Sequence, residues 1–299
     1  MGSRDATRAE LERVHPGTHL DGLARRCTDG GHFDADTPAS PGSWAAAIAA
    51  AGAGLAAMDA LMGPDPKDPK DAKGAFLAIR PPGHHARATQ AMGFCLINNI
   101  AVVASELLAR AQRVAIVDID AHHGNGTQEI FYANPDVLYV SFHEWPLYPG
   151  TGRHDETGTG AGVGATCNFP LPAGATGDVY LRGLDAVVEP LIEKFAPDWM
   201  LISAGFDAHR DDPLTGLGLS AGDYAALVER LVAAVPTGRT IAFLEGGYSL
   251  TGLRDSVALT LPVLAGLARP TLSGEDPTSG GPGDQVVEVV AALWRDQLR

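Results

Sequence analysis

Cysteine is scarce in this chain: 299 residues hold three, Cys27, Cys95 and Cys167, scattered and odd in number. None forms a C-x-x-C pair. Neither a disulfide framework nor a cysteine-ligated zinc site is expected, and a reducing cytoplasm is the default compartment. Positive charge is short as well, with 22 Lys and Arg against 36 Asp and Glu and a net charge of −14. That balance argues against a phosphate-binding surface and against nucleic acid as a partner. It keeps a protein soluble and could favour cationic substrates. The N-terminus, MGSRDATRAE, has no apolar signal segment. The one stretch with the length of a membrane span, 44–62, is mostly alanine with two glycines and Asp59. Alanine gains little in lipid, so a buried, closely packed helix is expected and no membrane partner. No serine or cysteine has a nucleophile setting such as G-x-S-x-G.

What is present is ordinary globular composition, 45% hydrophobic and 19% charged, enough for one large α/β domain or two smaller ones. The chain is organised around residues 113–126, RVAIVDIDAHHGNG. Its apolar, β-branched run at 114–117 predicts a strand buried on both faces. Where that strand ends stand Asp118, Asp120, His122 and His123. Alternation puts Asp118 and Asp120 on one side, and His122 follows if the chain stays extended. Asp120 and His122 could therefore reach one metal ion, with Asp118 beneath it. An aspartate and an imidazole suit Zn²⁺ or another borderline divalent metal. Taken alone, the same residues could equally be an acidic strand end that caps the next helix.

The rest of the chain changes that balance. TRAELERV predicts a short helix opened by Thr7 with Glu10 three residues on, 34–43 a loop, and 63–73 a polar, proline-rich turn. A strand at 75–79 runs into RPPGHHA, where Pro81 and Pro82 forbid helix and interior strand and leave His84 and His85 on a rigid loop. A helix follows MGFCLINN, another continues from GNGTQ and stops before Pro135, and a strand at 137–142 ends in Ser141, Phe142 and His143. GTGAGVGA lacks the lysine and the context of a phosphate loop and is expected to be a flexible border of the site. A helix over 178–195 bends near Pro190. A strand at 199–203 precedes Asp207. Ser220 caps a helix to about 235. A strand at 240–244 ends in EGGYS, where Gly246 and Gly247 allow a turn that presents Tyr248. A helix covers 251–267, a linker 270–283, and an amphipathic helix 286–298. Strands alternate with helices, which predicts a parallel sheet covered on both faces. Functional-looking residues follow five strands: His84 and His85, Asp120 and His122, His143, Asp207, and Tyr248. Ligands gather beyond the carboxyl ends of such strands.

Asp120, His122 and Asp207 supply three ligands, as a catalytic zinc typically has. His84 and His85 can act as base and acid toward water and a leaving amine, Asp118 and Asn125 can orient them through their second ring nitrogens, and Tyr248 can donate to a developing oxyanion. The residues point to metal-dependent hydrolysis of an amide by water, without a covalent intermediate.

RPPGHHA, MGFCLINN, VDIDAHHGNGTQEIF, SFH…YPGTG, SAGFDAHRDDPL and EGGY resemble, in content and order over about 35–265, the histone deacetylase family. They are most similar to its class II and bacterial members, the histone deacetylase-like amidohydrolases and acetylpolyamine amidohydrolases. The resemblance implies the arginase/deacetylase α/β fold with a mostly parallel central sheet, as a single catalytic domain over 1–299. It implies Zn²⁺ on Asp120, His122 and Asp207, with Fe²⁺ or Co²⁺ as alternatives. His84 and His85 match the tandem pair, with His85 as general base, Asp118 and Asn125 match their partners, and Tyr248 matches the carbonyl-polarising tyrosine. Gly93, Phe94 and Tyr148 match the channel for a substrate's aliphatic stem. A structural K⁺ is implied at Asp118, Asp120, His122, Ser141 and Phe142, partly through backbone carbonyls.

Departures from the family pattern set further expectations. No H-P-E-x-P-x-R-L-like stretch precedes Val14-His15-Pro16, which implies a missing channel wall and a more open site for bulkier acyl groups. Asn125 replaces an aspartate, as in class II, and Tyr148 a phenylalanine. Leu214 stands at the rim position seven after Asp207, where a glutamate would have favoured polyamines. The expected substrate is an acylated lysine in a protein or peptide, with an acylated polyamine as the alternative and a homo-oligomer left open. A binuclear manganese ureohydrolase would need further carboxylates at Gly124 and His209. A silent scaffold would not need the complete set found here. His143 is read as a structural histidine and His209 as a loop residue, and His15, His19, His32 and His154 carry no assigned role.

Overall fold

In the computed structural model, residues 4–63 and 72–298 are described, so most of the polar turn read at 63–73 lies outside the described residues. Thr7 caps α1 (Arg8–Leu11) in a reciprocal capping box with Glu10. α2 (Gly17–Asp29) buries Leu20, Leu23 and Cys27 and leads into a two-residue hairpin, β1 (Gly31–His32) and β2 (Pro38–Ala39). The alanine-rich stretch is α3 (Ser43–Met62). Small residues let it approach its neighbours closely: a Cβ on Gly52 would lie 1.9 Å from the Arg4 carbonyl oxygen, and one on Gly54 2.7 Å from Val103. The helix is long and apolar enough to cross a membrane, yet here it packs on the sheet and the next helix.

The remaining elements alternate except where β5 and β6, α6 and α7, and α9 and α10 follow one another: β3 (Ala75–Leu77), α4 (Asn99–Ala109), β4 (Val114–Asp118), α5 (Asn125–Phe131), β5 (Val137–Glu144), β6 (Thr166–Leu171), α6 (Gly177–Gly183), α7 (Glu189–Phe195), β7 (Trp199–Ala204), α8 (Ala221–Ala233), β8 (Thr240–Leu244), α9 (Leu250–Leu264) and α10 (Asp284–Trp294). Six strands form one sheet in the order β3-β8-β7-β4-β5-β6, every neighbouring pair parallel. β4 sits centrally, with all five of its residues buried. Alternation along the strands feeds two cores. Val117, Ile202 and Ala242 face one, and Ile116, Leu201 and Ile241 face the other. Each fully buried Val, Ile or Leu side chain among these contributes about 1.5–3 kcal/mol of transfer free energy. The sheet and its two helical layers are the α/β arrangement expected of an arginase/deacetylase fold.

Three features differ from or sharpen the sequence reading. β6 was not anticipated. Its segment, TCNFPL, carries Pro170, which a central strand would reject but an edge strand tolerates. The helix over 178–195 is α6 and α7 joined by a π turn at Leu184–Val188, just before Pro190, whose missing N–H relaxes the hydrogen-bond ladder there. The glycine-rich GTGAGVGA segment does not border the site. Gly162 is packed against the backbone of Tyr132, Ala133 and Asn134, and Gly164 lies against Gln297.

At the C-terminal end, residues 270–283 form no helix or strand but are fastened to the chain. Glu275 Oε2 accepts the Ala221 N–H at 2.7 Å, and Thr278 Oγ1 donates to Asp223 at 2.7 Å. α10 then buries Val287, Val290 and Trp294 on its own chain, beside β6 and α6.

His15 anchors the N-terminal helices and is fully buried. Its Nδ1 lies 3.1 Å from the Ala88 carbonyl, and its Nε2 accepts the Asn98 N–H at 3.0 Å. This pairing fits only the neutral ring protonated on Nδ1, because a second ring proton would point at the Asn98 N–H. Burial, partly offset by the Ala88 carbonyl, pushes its pKa down to about 4. The unfolded chain therefore binds a proton here between about pH 6.5 and 4 that the folded chain refuses, so stability falls as pH falls through that window. His15→Gln should remove roughly 2 kcal/mol of the loss in unfolding free energy between pH 7 and pH 5. Urea titrations at both pH values measure it, and an unchanged difference would sink the assignment.

Candidate metal and catalytic centre

The carboxyl ends of β4, β7 and β8 meet in the middle of the sheet, and the chain leaving each contributes one part of the centre. From β4 come Asp118, Asp120 and His122. From the turn after β7 comes Asp207, and from the turn after β8 come Glu245 to Tyr248. Ligand atoms of Asp120, His122 and Asp207 all lie within 4.8 Å of one another and could hold a metal ion. His122 Nδ1 stands 2.9 Å from Asp207 Oδ2 and 3.2 Å from Asp120 Oδ1. Burial opposes charge on His122, yet the facing carboxylates of Asp120 and Asp207 push its pKa up to about 11. Burial, then the charge of Asp120, raises Asp207 to about 6. Two buried carboxylates converging on one imidazole form a pocket of negative charge that a cation would satisfy. Two oxygen donors and one nitrogen suit a borderline divalent metal.

Backbone groups lock those carboxylates in place. The Ala121 N–H donates to Asp207 Oδ1 and the Gly246 N–H to Asp120 Oδ2, both at 2.8 Å. Close approach requires glycine: a Cβ on Gly205 would stand 1.9 Å from Asp120 Oδ2, and one on Gly246 2.2 Å from Asp207 Oδ2. Neither glycine was singled out for this contact in the sequence, although both flank assigned residues.

His84 and His85 come from the loop after β3, their rings 4.0 Å apart. His84 Nδ1 is 2.9 Å from Asp118 Oδ2, and His85 Nδ1 is 2.9 Å from Asn125 Oδ1. The same residue type thus meets two different partners. For His84, burial disfavours charge, but Asp118, Asp120 and Glu245 outweigh it and push the pKa up to about 10. For His85, burial and then the charge on His84 hold the pKa well below its ordinary value. Asn125 carries no charge to reverse this. The surroundings therefore favour charge on His84 and disfavour it on His85, and with Nδ1–H donating to Asn125 the His85 Nε2 lone pair is left free.

Glu245, unassigned in the sequence reading, holds the histidine loop from behind. Its Oε2 accepts the N–H groups of Gly83 at 2.7 Å and His84 at 3.1 Å, and its Oε1 accepts the Ser203 hydroxyl at 3.2 Å. Its EGGY context was visible, but acceptance of N–H groups from a loop about 160 residues away in sequence leaves no local signal.

A cavity of about 330 Å³ opens above the centre, lined by Asp36, His85, Gly93, Phe94, His122, Tyr148, Leu214 and Tyr248. The four residues expected at a substrate channel are all in this wall. Tyr148 meets His85 edge-on at 5.1 Å, and Phe94 meets Tyr248 at 6.2 Å. Phe94 holds φ +67°, a left-handed conformation uncommon for an aromatic residue. Thr37 Oγ1 accepts its N–H at 3.0 Å, and Asp34 accepts that of Gly93 at 3.2 Å. Asp34, Asp36 and Thr37 lie in the segment read only as loop. Burial, then the charges of Asp120 and Asp207, keeps the Tyr248 phenol protonated well above its ordinary range.

The remaining candidates fall elsewhere. Ser141 and His143 bond to each other at 2.9 Å, and His143 Nε2 also meets the Gly152 carbonyl. His209 pairs with Glu275 at 3.1 Å, away from the ligand cluster. Substituting Gly246 by alanine would push on Asp207 and Asp120 together. Gly246→Ala should weaken divalent-metal binding roughly 10- to 100-fold, as for other groups that hold metal ligands in place. Calorimetric titration of metal-free protein measures this, and unchanged affinity would show that these carboxylates do not hold the ion.

The histone deacetylase domain model matches residues 1–264. A probable deacetylase of Archaeoglobus fulgidus is 43% identical over 251 residues, covering 83% of this chain and 68% of that protein. A histone deacetylase-like amidohydrolase of Pseudomonas aeruginosa is 37% identical over 251 residues, covering 82% of this chain and 64% of that one. The chloroplastic histone deacetylase 10 of Oryza sativa is 39% identical over 275 residues, and the match takes in 60% of its length. The crystal structure of the HDA15 HD domain superposes with a TM-score of 0.87 at 37% identity, covering all of this chain and 83% of that one. With a domain match over most of its length, a shared fold and an Asp-His-Asp cluster at the sheet's carboxyl edge, the chain belongs to the histone deacetylase family.

Proposed function

We propose that this hydrolase removes acetyl or other acyl groups from the side-chain amine of lysine in a peptide or protein. In this reading Asp120, His122 and Asp207 hold Zn²⁺, with Fe²⁺ and Co²⁺ fitting the same donors. What a divalent ion supplies there when bound is Lewis acidity, toward water and toward an amide carbonyl. The observation that carries the proposal is the pairing of His84 with the Asp118 carboxylate and of His85 with the Asn125 amide oxygen, His85 lying in a cavity walled by Phe94 and Tyr148 beside the Asp120-His122-Asp207 cluster.

The roles follow from proton positions. His85 Nε2 takes a proton from the attacking water as its oxygen bonds to the amide carbon. Asn125 fixes the ring so that only Nε2 is available for that proton. The fixed charge of His84, held by Asp118, favours the developing oxyanion, and the Tyr248 hydroxyl donates to that oxyanion. As the C–N bond breaks, the proton on His85 passes to the leaving amine, and a carboxylic acid and an amine result, which at neutral pH become a carboxylate and an ammonium as the acid's proton passes to the amine. Phe94 and Tyr148 would flank an aliphatic stem, and Gly93 lets the wall close in: a Cβ there would meet His85 at 2.5 Å.

Leu214 at the cavity wall offers no carboxylate to a distal amine, which favours acyl-lysine over an acylated polyamine. Asp36 at the same wall does carry a carboxylate, which keeps N-acetylputrescine as the alternative substrate. A structural K⁺ held by Asp118, Asp120, His122, Ser141 and Phe142 belongs to the same proposal. Its support is the register of β4 and β5, which pairs Asp118 with Ser141.

The test is turnover of acetyl-, trifluoroacetyl- and longer acyl-lysine peptides and N-acetylputrescine, with and without chelator. Lysine-peptide turnover that chelation abolishes is expected, and Tyr248→Phe should lower kcat about 100- to 1000-fold, the scale of a lost oxyanion donor. Turnover of the polyamine alone would move the substrate class. No turnover of any member by the zinc-loaded protein would overturn the enzymatic reading.

A further inference from the structure

Asp212 is a buried carboxylate that the roles above leave unused. It is 7% exposed and lies between Asp207 and the rim residue Leu214, on the loop that leaves β7. Its Oδ2 accepts the Tyr248 N–H at 2.7 Å and the Ser249 N–H at 3.2 Å. Its Oδ1 accepts the Leu214 N–H at 2.9 Å. The Asp212 N–H in turn donates to the His209 carbonyl at 2.8 Å. One side chain thus fastens the backbone of two residues that line the cavity, Leu214 and Tyr248.

The need for such a fastening is local. Tyr248 follows Gly246 and Gly247, and Gly247 sits at φ +128°, so the chain before it has little stiffness of its own. The helix after it begins only at Leu250, with Ser249 as its cap, so the Tyr248 and Ser249 N–H groups lie outside the helical ladder. A carboxylate accepting two successive N–H groups makes charge-assisted bonds and fixes the peptide plane between them.

We propose that Asp212 is a positioning residue for Tyr248: through the Tyr248 and Ser249 N–H groups it sets where the phenol hydroxyl stands over the metal-ligand cluster. This rests on the acyl-amide hydrolase reading, in which that hydroxyl meets the reacting carbonyl. Asp212 touches no reacting atom; its effect on the chemical step runs through the tyrosine, while its bond to the Leu214 N–H holds the rim.

The test is a double-substitution cycle on zinc-loaded protein. Displacing a catalytic group by about 1 Å can cost on the order of 100-fold, so Asp212→Ala should lower kcat roughly 10- to 100-fold and move KM less than about 3-fold. Asp212→Asn, which keeps one acceptor oxygen, should recover part of the loss. In a Tyr248→Phe background, Asp212→Ala should cost less than about 3-fold, because the hydroxyl it positions is gone. An equal cost in both backgrounds overturns the proposal, as does loss of bound zinc in both Asp212 variants, which would place the effect at Asp207. If wild type turns over no acyl amide, the functional reading fails while amide hydrogen exchange still decides this one. Peptides covering 246–250 should exchange faster in Asp212→Ala, or in Asp212→Asn if the alanine variant does not fold, with 199–204 unchanged. Unaltered exchange at 246–250 overturns it.

Discussion

Everything at this centre depends on keeping negative charge buried. Asp118, Asp120, Asp207 and Glu245 are all at most 1% exposed, within a short reach of the sheet's carboxyl edge. A carboxylate removed from water without partners costs several kcal/mol. The chain meets that cost with the charge favoured on His84 and with backbone N–H groups from Ala121, Gly246, Gly83 and His84, and a cation held by Asp120, His122 and Asp207 would meet the rest. These donors come from three turns, after β3, β4 and β8, and each of those turns leaves a strand of the same sheet. The parallel order β3-β8-β7-β4-β5-β6 is what brings them together. A shift of one residue in any central strand would move a donor or an acceptor to the opposite face.

Most of the frame and the ligand cluster were legible in the sequence, for a physical reason. A β-branched run such as that in β4 and a polar cluster after it are local signals, and several strand ends repeating that pattern point to one edge of one sheet. The alanine-rich α3 was legible too, because small residues at 44–62 suit close packing better than a bilayer. What escaped has a different character. β6 hid behind Pro170, since a proline argues against a strand unless the strand's place at the edge is already known. The 157–164 glycines looked like mobility but serve close approach, as at Gly162 under the end of α5. Asp34, Thr37, Glu245 and Asp212 accept backbone N–H groups from distant segments, and acceptance of an N–H has no residue pattern of its own.

The contrast between His84 and His85 carries the chemistry further than their identity does. Both are buried and adjacent, so burial alone would neutralise both. Asp118 makes the difference for His84, and the charge it stabilises there then works against protonation of His85. Asn125 completes the asymmetry, because an amide oxygen orients a ring without adding charge. An aspartate at 125 would add a second anion beside the pair and draw a proton onto His85, leaving it a weaker base at neutral pH. In the proposed reaction the uncharged partner is therefore matched to a base that must begin empty.

Rigidity is graded across the cavity in the same spirit. Its floor rides on the ends of central strands, where neighbours on both sides fix each backbone. Its rim rides on loops: Asp36 and Leu214 stand on segments with no regular structure, and Phe94 is held in a left-handed conformation by Thr37. Groups that must meet reacting atoms need placement within about 0.5 Å, whereas groups that contact the body of a substrate can tolerate more. In the proposed function substrate preference is accordingly set in the loops, where a single change at Leu214 would alter charge at the mouth without touching the sheet. The reaction is written at the strand ends, where a methyl group on Gly205 or Gly246 would collide with the carboxylates that define it.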